Sequence, residues 1–192
     1  MLPLLLASSS VYRRDLLSRL RLPFICSSPD IDESHHQGET AIELVKRLSL
    51  EKARALAASH PNHLIIGSDQ VAVLDGQIIG KPHTHEKAHQ QLTTASGASV
   101  SFLTGLTLLN SQTGYHQTDC IPFTVHMRTL SAEQIERYLL AEQPYDCAGS
   151  FKAEGLGVSL FQRTEGDDAT SLVGLPLIRL VDMLLAQGVD IP

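Results

Sequence analysis

Several common signatures are missing from this 192-residue sequence. No apolar run approaches the length of a membrane span, so no transmembrane helix is expected. The three cysteines, Cys26, Cys120 and Cys147, are odd in number and widely spaced, with no CxxC pair. That pattern indicates neither a zinc knuckle nor a disulfide framework, and a reducing cytoplasm is the simplest setting for it. Positive charge is not in excess: the formal net charge is −6. Broad nucleic-acid binding needs a basic footprint, whereas a small anionic ligand needs only a local cluster of cations. No GxxxxGK[ST] phosphate loop, internal repeat, low-complexity tract or long linker occurs. The opening Met1-Leu2-Pro3-Leu4-Leu5-Leu6 is apolar but lacks a basic leader and runs on to Arg13 and Arg14; it reads as a buried first strand, not a signal peptide.

What remains is a chain that is 43% hydrophobic, enough for one generous domain over residues 1–192 or two small lobes sharing a core. A strand at Leu4–Ala7 leads through Ser8-Ser9-Ser10 into a helix to about Leu20, and Leu22–Ser27 reads as a second strand. A polar loop over 28–39 carries Asp30, Asp32 and Glu33. Thr40 and Glu43 have capping-box spacing and open a long helix through Ala58, stopped by His60-Pro61-Asn62. A hairpin turning at Asp75-Gly76 follows, then a helix over 85–95. Two long strands, about 99–109 and 117–128, turn near Thr113-Gly114. Ser131 and Gln134 form a second capping box for a helix to Leu140. Strand signals at 156–161 precede a polar loop from Thr164 to Thr170. Pro176 and Gly188 frame the last helix. The mixture predicts an α/β fold with a mixed twisted sheet, flanking helices and two lobes around a cleft.

Within the stretch "LIIGSDQVAVLDGQIIGKP", an acid, Asp69, and a cation, Lys81, stand at the open ends of one hairpin. With Asp75-Gly76 as the turn, Gln70 lies opposite Lys81 and Asp69 opposite Pro82. Strict alternation would send Asp69 and Lys81 to opposite faces, but Gly80 and Pro82 are expected to break the ladder there. The pair is either a surface salt bridge worth ~0–1 kcal/mol or part of a site, since α/β sites sit just past buried strands. Ser8-Ser9-Ser10-Val11-Tyr12-Arg13-Arg14 reads equally well as an anion-binding helix start or as an ordinary serine cap. Taken alone, Lys52 reads as a solvated helix residue, and Asp32-Glu33 as a solvated loop. His85 and His89 are spaced i,i+4, but no third metal ligand accompanies them. Cys147 has no neighbouring histidine and reads as a packed residue rather than a nucleophile.

Six fragments, "LLASSSVYRRDLL", "DES", "EKA", the hairpin, "YDCAGSFKAEG" and "LVGLPL", fall in the order seen in Maf proteins, the septum-formation-inhibitor-like nucleoside triphosphate pyrophosphatases, across nearly the whole chain. The resemblance implies a Maf/ITPase-like fold, hydrolysis between the α- and β-phosphates and a divalent cation, Mg²⁺ or Mn²⁺. It implies Asp69 as the proton acceptor, Ser8, Arg13, Lys52 and Lys81 at the polyphosphate, and Glu33 with Asp69 at the metal. Tyr12, Gln70 and Glu154 stand where the family selects the base, and they resemble the set in the subfamily that hydrolyses 7-methyl-GTP. Physical chemistry favours that base: N7-methylation makes the ring cationic, an aromatic face attracts a cation by ~0.5–2 kcal/mol, and a carboxylate opposes the charge. Two positions depart from the pattern. Val11 replaces a frequent proline, and Tyr12 stands where close relatives tend to carry tryptophan. A small-molecule nucleotide is thus the expected partner, with no nucleic acid and no membrane, and a homodimer is one assembly open to the chain. The competing readings are a pyrophosphatase for dTTP, UTP or CTP, and a non-catalytic nucleotide-binding regulator of cell division.

Overall fold

The computed structural model describes residues 2–191. The Met1 end of the apolar opening run therefore lies outside the described residues. Among the described residues seven strands and six α-helices alternate irregularly. They are β1 (Leu4–Ala7), α1 (Val11–Ser18), β2 (Phe24–Ser27), α2 (Ala41–Ala55), β3 (Leu64–Leu74), β4 (Gln77–Ile79), α3 (His85–Ala95), β5 (Ser99–Asn110), β6 (His116–Met127), α4 (Ala132–Glu142), β7 (Phe161–Glu165), α5 (Ala169–Val173) and α6 (Leu177–Ala186). The strands bond in the order β2-β1-β3-β5-β6-β7, with β4 on β3. β1 pairs parallel with β2 and β3, whereas β3–β4 and β6–β7 are antiparallel, so the sheet is mixed as expected.

The chain forms two compact units, Met1–Gln70 with Thr104–Ile121 and Asp168–Pro192, and Val71–Leu103 with Pro122–Asp167. In the first unit, period-two alternation divides β1 and β3 between two cores. Leu4, Leu6, Leu64 and Ile66 pack with Leu16 and Leu17 of α1 and Leu180, Met183 and Leu184 of α6. Leu5, Ala7 and Ile65 pack instead with Ala53 of α2 and with Leu56. A sheet covered on both faces explains why β1 is apolar at every position. In the second unit, Phe102, Phe151 and Phe161 form an edge-to-face stack with ring centroids 5.2 and 4.9 Å apart.

Local signals placed most boundaries. Both capping boxes form: Thr40 Oγ1 accepts from Glu43 N–H while Glu43 Oε2 accepts from Thr40 N–H, and Ser131 and Gln134 do the same. The hairpin turns at Asp75-Gly76 in the expected register, Leu74 opposite Gln77, and its ladder ends at Ile79, before Gly80. Two expectations are corrected. Residues 156–160 are a 3-10 helix, not a strand. Leu156, Val158 and Leu160 alternate in sequence like a strand, yet Leu156 and Val158 are exposed and the buried pair is Gly157 and Leu160, three apart as a 3-10 turn requires. The stretch 164–170 is not wholly loop: Thr164 and Glu165 finish β7 against β6, and Ala169 begins the short helix α5.

Candidate active site

The charged centre of the first unit follows from how closely α2 lies on the sheet. A Cβ at Gly67 would stand 2.0 Å from the Ser49 carbonyl oxygen, and one at Gly105 2.0 Å from that of Val45. Only glycine permits that approach. Hydroxyls lock the register: Ser49 Oγ meets Thr107 Oγ1 at 2.9 Å, which meets Thr118 Oγ1 at 2.8 Å. Lys52 is the next residue along the buried row Val45, Leu48, Ser49, Lys52, so the helix aims it at β3. Residues 67 and 69 of β3 share the α2 face. Lys52 Nζ donates to Asp69 Oδ1 at 2.7 Å and pairs with Glu33 Oε1 at 3.0 Å. Lys52 and Asp69 are each 7% exposed. Lys52 is therefore not the solvated helix residue that it reads as when taken alone: glycines on β3 and β5 let α2 come close enough to bury it, at the position where the family resemblance puts a site residue.

The other face of β3 carries Ser68 and Gln70. Ser68 Oγ lies 2.9 Å from the carbonyl oxygens of both Gly105 and Gly174, which share its single O–H. Gln70 Nε2 donates to Ser171 O at 2.7 Å, to Thr104 Oγ1 at 3.0 Å and to Leu172 O at 3.2 Å. These bonds fasten the end of α5, and the Gly174 carbonyl in turn accepts from Arg13 Nε at 2.8 Å. Burial lowers the Arg13 pKa from its ordinary value, while the charges of Asp69 and Glu33 act the other way. Ser8 is buried, and its Oγ accepts from Ser10 N–H at 3.1 Å, while Ser10 caps α1. Tyr12 is exposed on the first turn of α1. Sequence reasoning missed Ser68, Thr104 and Gly174; the period-two pattern around Asp69 was the available signal.

The loop that carries Glu33 is held on α2 by Arg47. Its guanidinium meets Glu39 Oε1 and Oε2 at 2.6 and 2.9 Å, Ser34 O at 3.0 Å and Glu51 Oε2 at 3.1 Å. Hydrogen bonding to Arg47 pulls the Glu39 pKa down to about 2. Nothing in the local sequence links positions eight apart across a helix start, so this clamp was invisible.

In the second unit Lys81 is exposed, on a segment fixed by buried Pro82, by Gln91 Nε2 on Gly80 O at 3.1 Å and by His83 N–H on Tyr145 O at 2.9 Å. Glu154 is exposed in a turn. His85 is engaged at both ring nitrogens, Nδ1 with Tyr145 Oη at 3.0 Å and Nε2 with Glu136 Oε2 at 2.9 Å, while His89 lies against Thr93. Among the described residues no group of three or more His, Cys, Asp or Glu is arranged to hold a metal. Burial pushes the Cys147 thiol up to about 11, which leaves little thiolate at neutral pH. All three cysteines are free.

The fold has solved counterparts. A HAM1 protein from Coxiella burnetii superposes with TM-score 0.54 at 15% identity, covering 97% of this chain and all of that one. The Staphylococcus aureus Ham1 protein matches with TM-score 0.54 at 12% identity, over 97% and 99%. At such identity the likeness establishes the fold alone. The family is established by sequence: the model of the Maf-like proteins matches residues 3–187, and the chain belongs to that family. Among its relatives, a protein of Pseudomonas fluorescens (strain Pf0-1) is 79% identical over 100% of both chains. One of Pseudomonas aeruginosa is 71% identical over 98% of both, and one of Alcanivorax borkumensis is 60% identical over 98% of this chain and 96% of that one. All three are named 7-methyl-GTP pyrophosphatase.

Proposed function

We propose that the chain hydrolyses 7-methyl-GTP between its α- and β-phosphates, giving 7-methyl-GMP and diphosphate. The observation that carries this reading is the end-to-end match to relatives of that name, 79% identical in the P. fluorescens case. The geometry of the first unit supplies the chemistry. Asp69 is the general base: its carboxylate takes a proton from water, and the resulting hydroxide character completes the attack that breaks the anhydride. Lys52 fixes Asp69 Oδ1 and brings positive charge to the same point, and Arg13, held by Gly174, is under the influence of both acids' charges. Cations so fixed stabilise charge developing on phosphate oxygens without reorganising at the moment of reaction. Ser8 and Lys81 carry the family's further phosphate contacts.

The side chains present fit a divalent cation. Glu33 Oε1 and Asp69 Oδ1 both hold the Lys52 ammonium, at 3.0 and 2.7 Å, so the two acids lie close enough to share one ion through their other oxygens. Magnesium is commonly held by one or two carboxylates completed by substrate phosphates, a donor set these acids match. Glu33 and Asp69 would hold the ion, which supplies Lewis-acid polarisation of phosphate oxygens when bound.

Tyr12 and Glu154 select the base, an aromatic face and a carboxylate for a cationic purine. Gln70 acts on the same selection through α5, given where its amide is bonded. A cytoplasmic setting suits three free thiols, and no helix among the described residues is long and apolar enough to cross a membrane. The test is a panel of 7-methyl-GTP, GTP, dTTP, UTP and CTP at fixed Mg²⁺, with monophosphate and diphosphate both quantified. The highest kcat/KM is expected for 7-methyl-GTP with equal yields of the two products. A pyrimidine nucleotide as best substrate, or no diphosphate above a protein-free blank, contradicts the proposal.

A further inference from the structure

Glu154 sits in a turn at 153–155, beyond any strand ladder, between buried Phe151 and the 3-10 helix Leu156–Leu160. A carboxylate can discriminate between bases only if its turn holds still. The turn makes two bonds of its own, Gly155 N–H and Gly157 N–H both donating to Lys152 O, and it is tied to the last turns of α4 by two more. Glu142 Oε2 accepts from Leu156 N–H at 2.8 Å, and Tyr138 Oη accepts from Lys152 N–H at 3.0 Å. Tyr138 and Glu142 are four residues apart and so share one helix face. The turn closes tightly on that face: a Cβ at Gly155 would stand 2.8 Å from Glu142 Oε2, and one at Gly157 2.2 Å from Lys152 O.

Glu142 also determines where a cation goes. Lys152 Nζ donates to the Glu142 carbonyl at 3.0 Å and lies 3.5 Å from its carboxylate Oε1. That lysine is two residues from Glu154 in the same short turn. The carbonyl bond is main-chain and survives any substitution at 142; what the side chain adds is the attraction of its carboxylate, which draws the ammonium away from Glu154. Without that attraction a flexible four-carbon stem lets the ammonium divide its time between the carbonyl and the carboxylate that is meant to face a positively charged base.

We infer that Glu142 is a positioning residue for base selection: it anchors the Glu154 turn through Leu156 N–H and sequesters Lys152, so that Glu154 keeps its charge for the methylated guanine. The inference rests on the substrate proposed above.

The experiment compares kcat/KM for 7-methyl-GTP and GTP in wild type, Glu142→Ala, Glu142→Gln and the double variant Glu142→Ala/Lys152→Met, with amide exchange at Leu156 measured alongside. Glu142→Ala is expected to lower the ratio of the two kcat/KM values by about tenfold, the effect of losing one charge-assisted hydrogen bond. Its kcat on GTP should stay within about twofold of wild type, because the reacting groups are untouched. Glu142→Gln, isosteric and with an oxygen still available to Leu156 N–H, should keep Leu156 protected while losing part of the ratio. Removing the cation that Glu142→Ala leaves tethered only to the main-chain carbonyl should, in the double variant, recover part of the ratio lost in Glu142→Ala, which a merely structural role would not do. A ratio unchanged in Glu142→Ala overturns the inference alone. A wild-type chain that does not prefer the methylated nucleotide overturns the substrate reading and this inference with it.

Discussion

The two units handle charge in opposite ways. In the first, Asp69 and Lys52 are nearly buried on a strand and a helix, and side chain is bonded to side chain at 2.7 Å. In the second, Glu154 is exposed on a turn, and what holds it is backbone N–H groups bonded to α4. Chemistry on a phosphate anhydride needs charges that do not move while the bond breaks, and regular elements pressed together by glycines give that. Reading a base asks instead for one accessible charge of the right sign. The difference predicts that the two functions are separable by mutation.

The largest effect on that separation should come from Lys52→Met. Removing one partner of the buried Lys52–Asp69 pair leaves the Asp69 carboxylate without its hydrogen-bonded cation, a loss of about 3 kcal/mol in a urea unfolding curve. kcat should fall ~10²-fold or more on 7-methyl-GTP and GTP alike. A selective loss on one nucleotide would break the comparison. Glu154→Gln should do the converse. It should lower kcat/KM for 7-methyl-GTP about tenfold while GTP changes little, since only the methylated ring is cationic. An equal loss on both would reject charge recognition at that turn.

The smallest effect concerns the Glu33 loop and pH. Hydrogen bonding to Arg47 holds the Glu39 pKa well below its ordinary 4.5, at about 2. A depressed carboxylate pKa means that the unfolded chain binds the proton more readily. The clamp on Arg47 is thus fully present above pH 4.5 and is lost as pH falls toward 2. Acid unfolding of Glu39→Gln should show a shallower slope in that window than wild type. Identical slopes would remove Glu39 from the account.

How much of this was legible in the sequence depends on the range of each interaction. Capping boxes at Thr40 and Ser131 and the Asp75-Gly76 turn are local chemistry, and they were read correctly. The 156–160 segment misled because spacing of two mimics a strand, while burial follows spacing of three. Helix α5 is only five residues long and has no apolar period to detect. It stands because Asp168 Oδ1 accepts from Thr170 N–H and Oδ2 from Ile178 N–H, so one side chain caps two helices. Of the site, Asp69 could be nominated as the carboxylate that follows the apolar run 64–66, although it lies within β3 and not past the end of a strand. The burial of Lys52, the support of Arg13 by Gly174 and the clamp of Arg47 on Glu39 all arise from segments distant in sequence or from long side chains without a period. Resemblance supplied Lys52 and Arg13, and the structure gives the physical reasons for their placement; Gly174, Arg47 and Glu39 come from the structure alone.

The central claim is that the carboxylate of Asp69 takes the proton in the hydrolytic step. Its most direct test is the rate of diphosphate release from 7-methyl-GTP by purified Asp69→Asn, beside wild type and after unfolding curves show both folded. The amide keeps the shape and an oxygen for Lys52 but cannot serve as the base, so kcat should fall ~10³-fold or more. Turnover within about tenfold of wild type would contradict the claim and assign the base elsewhere.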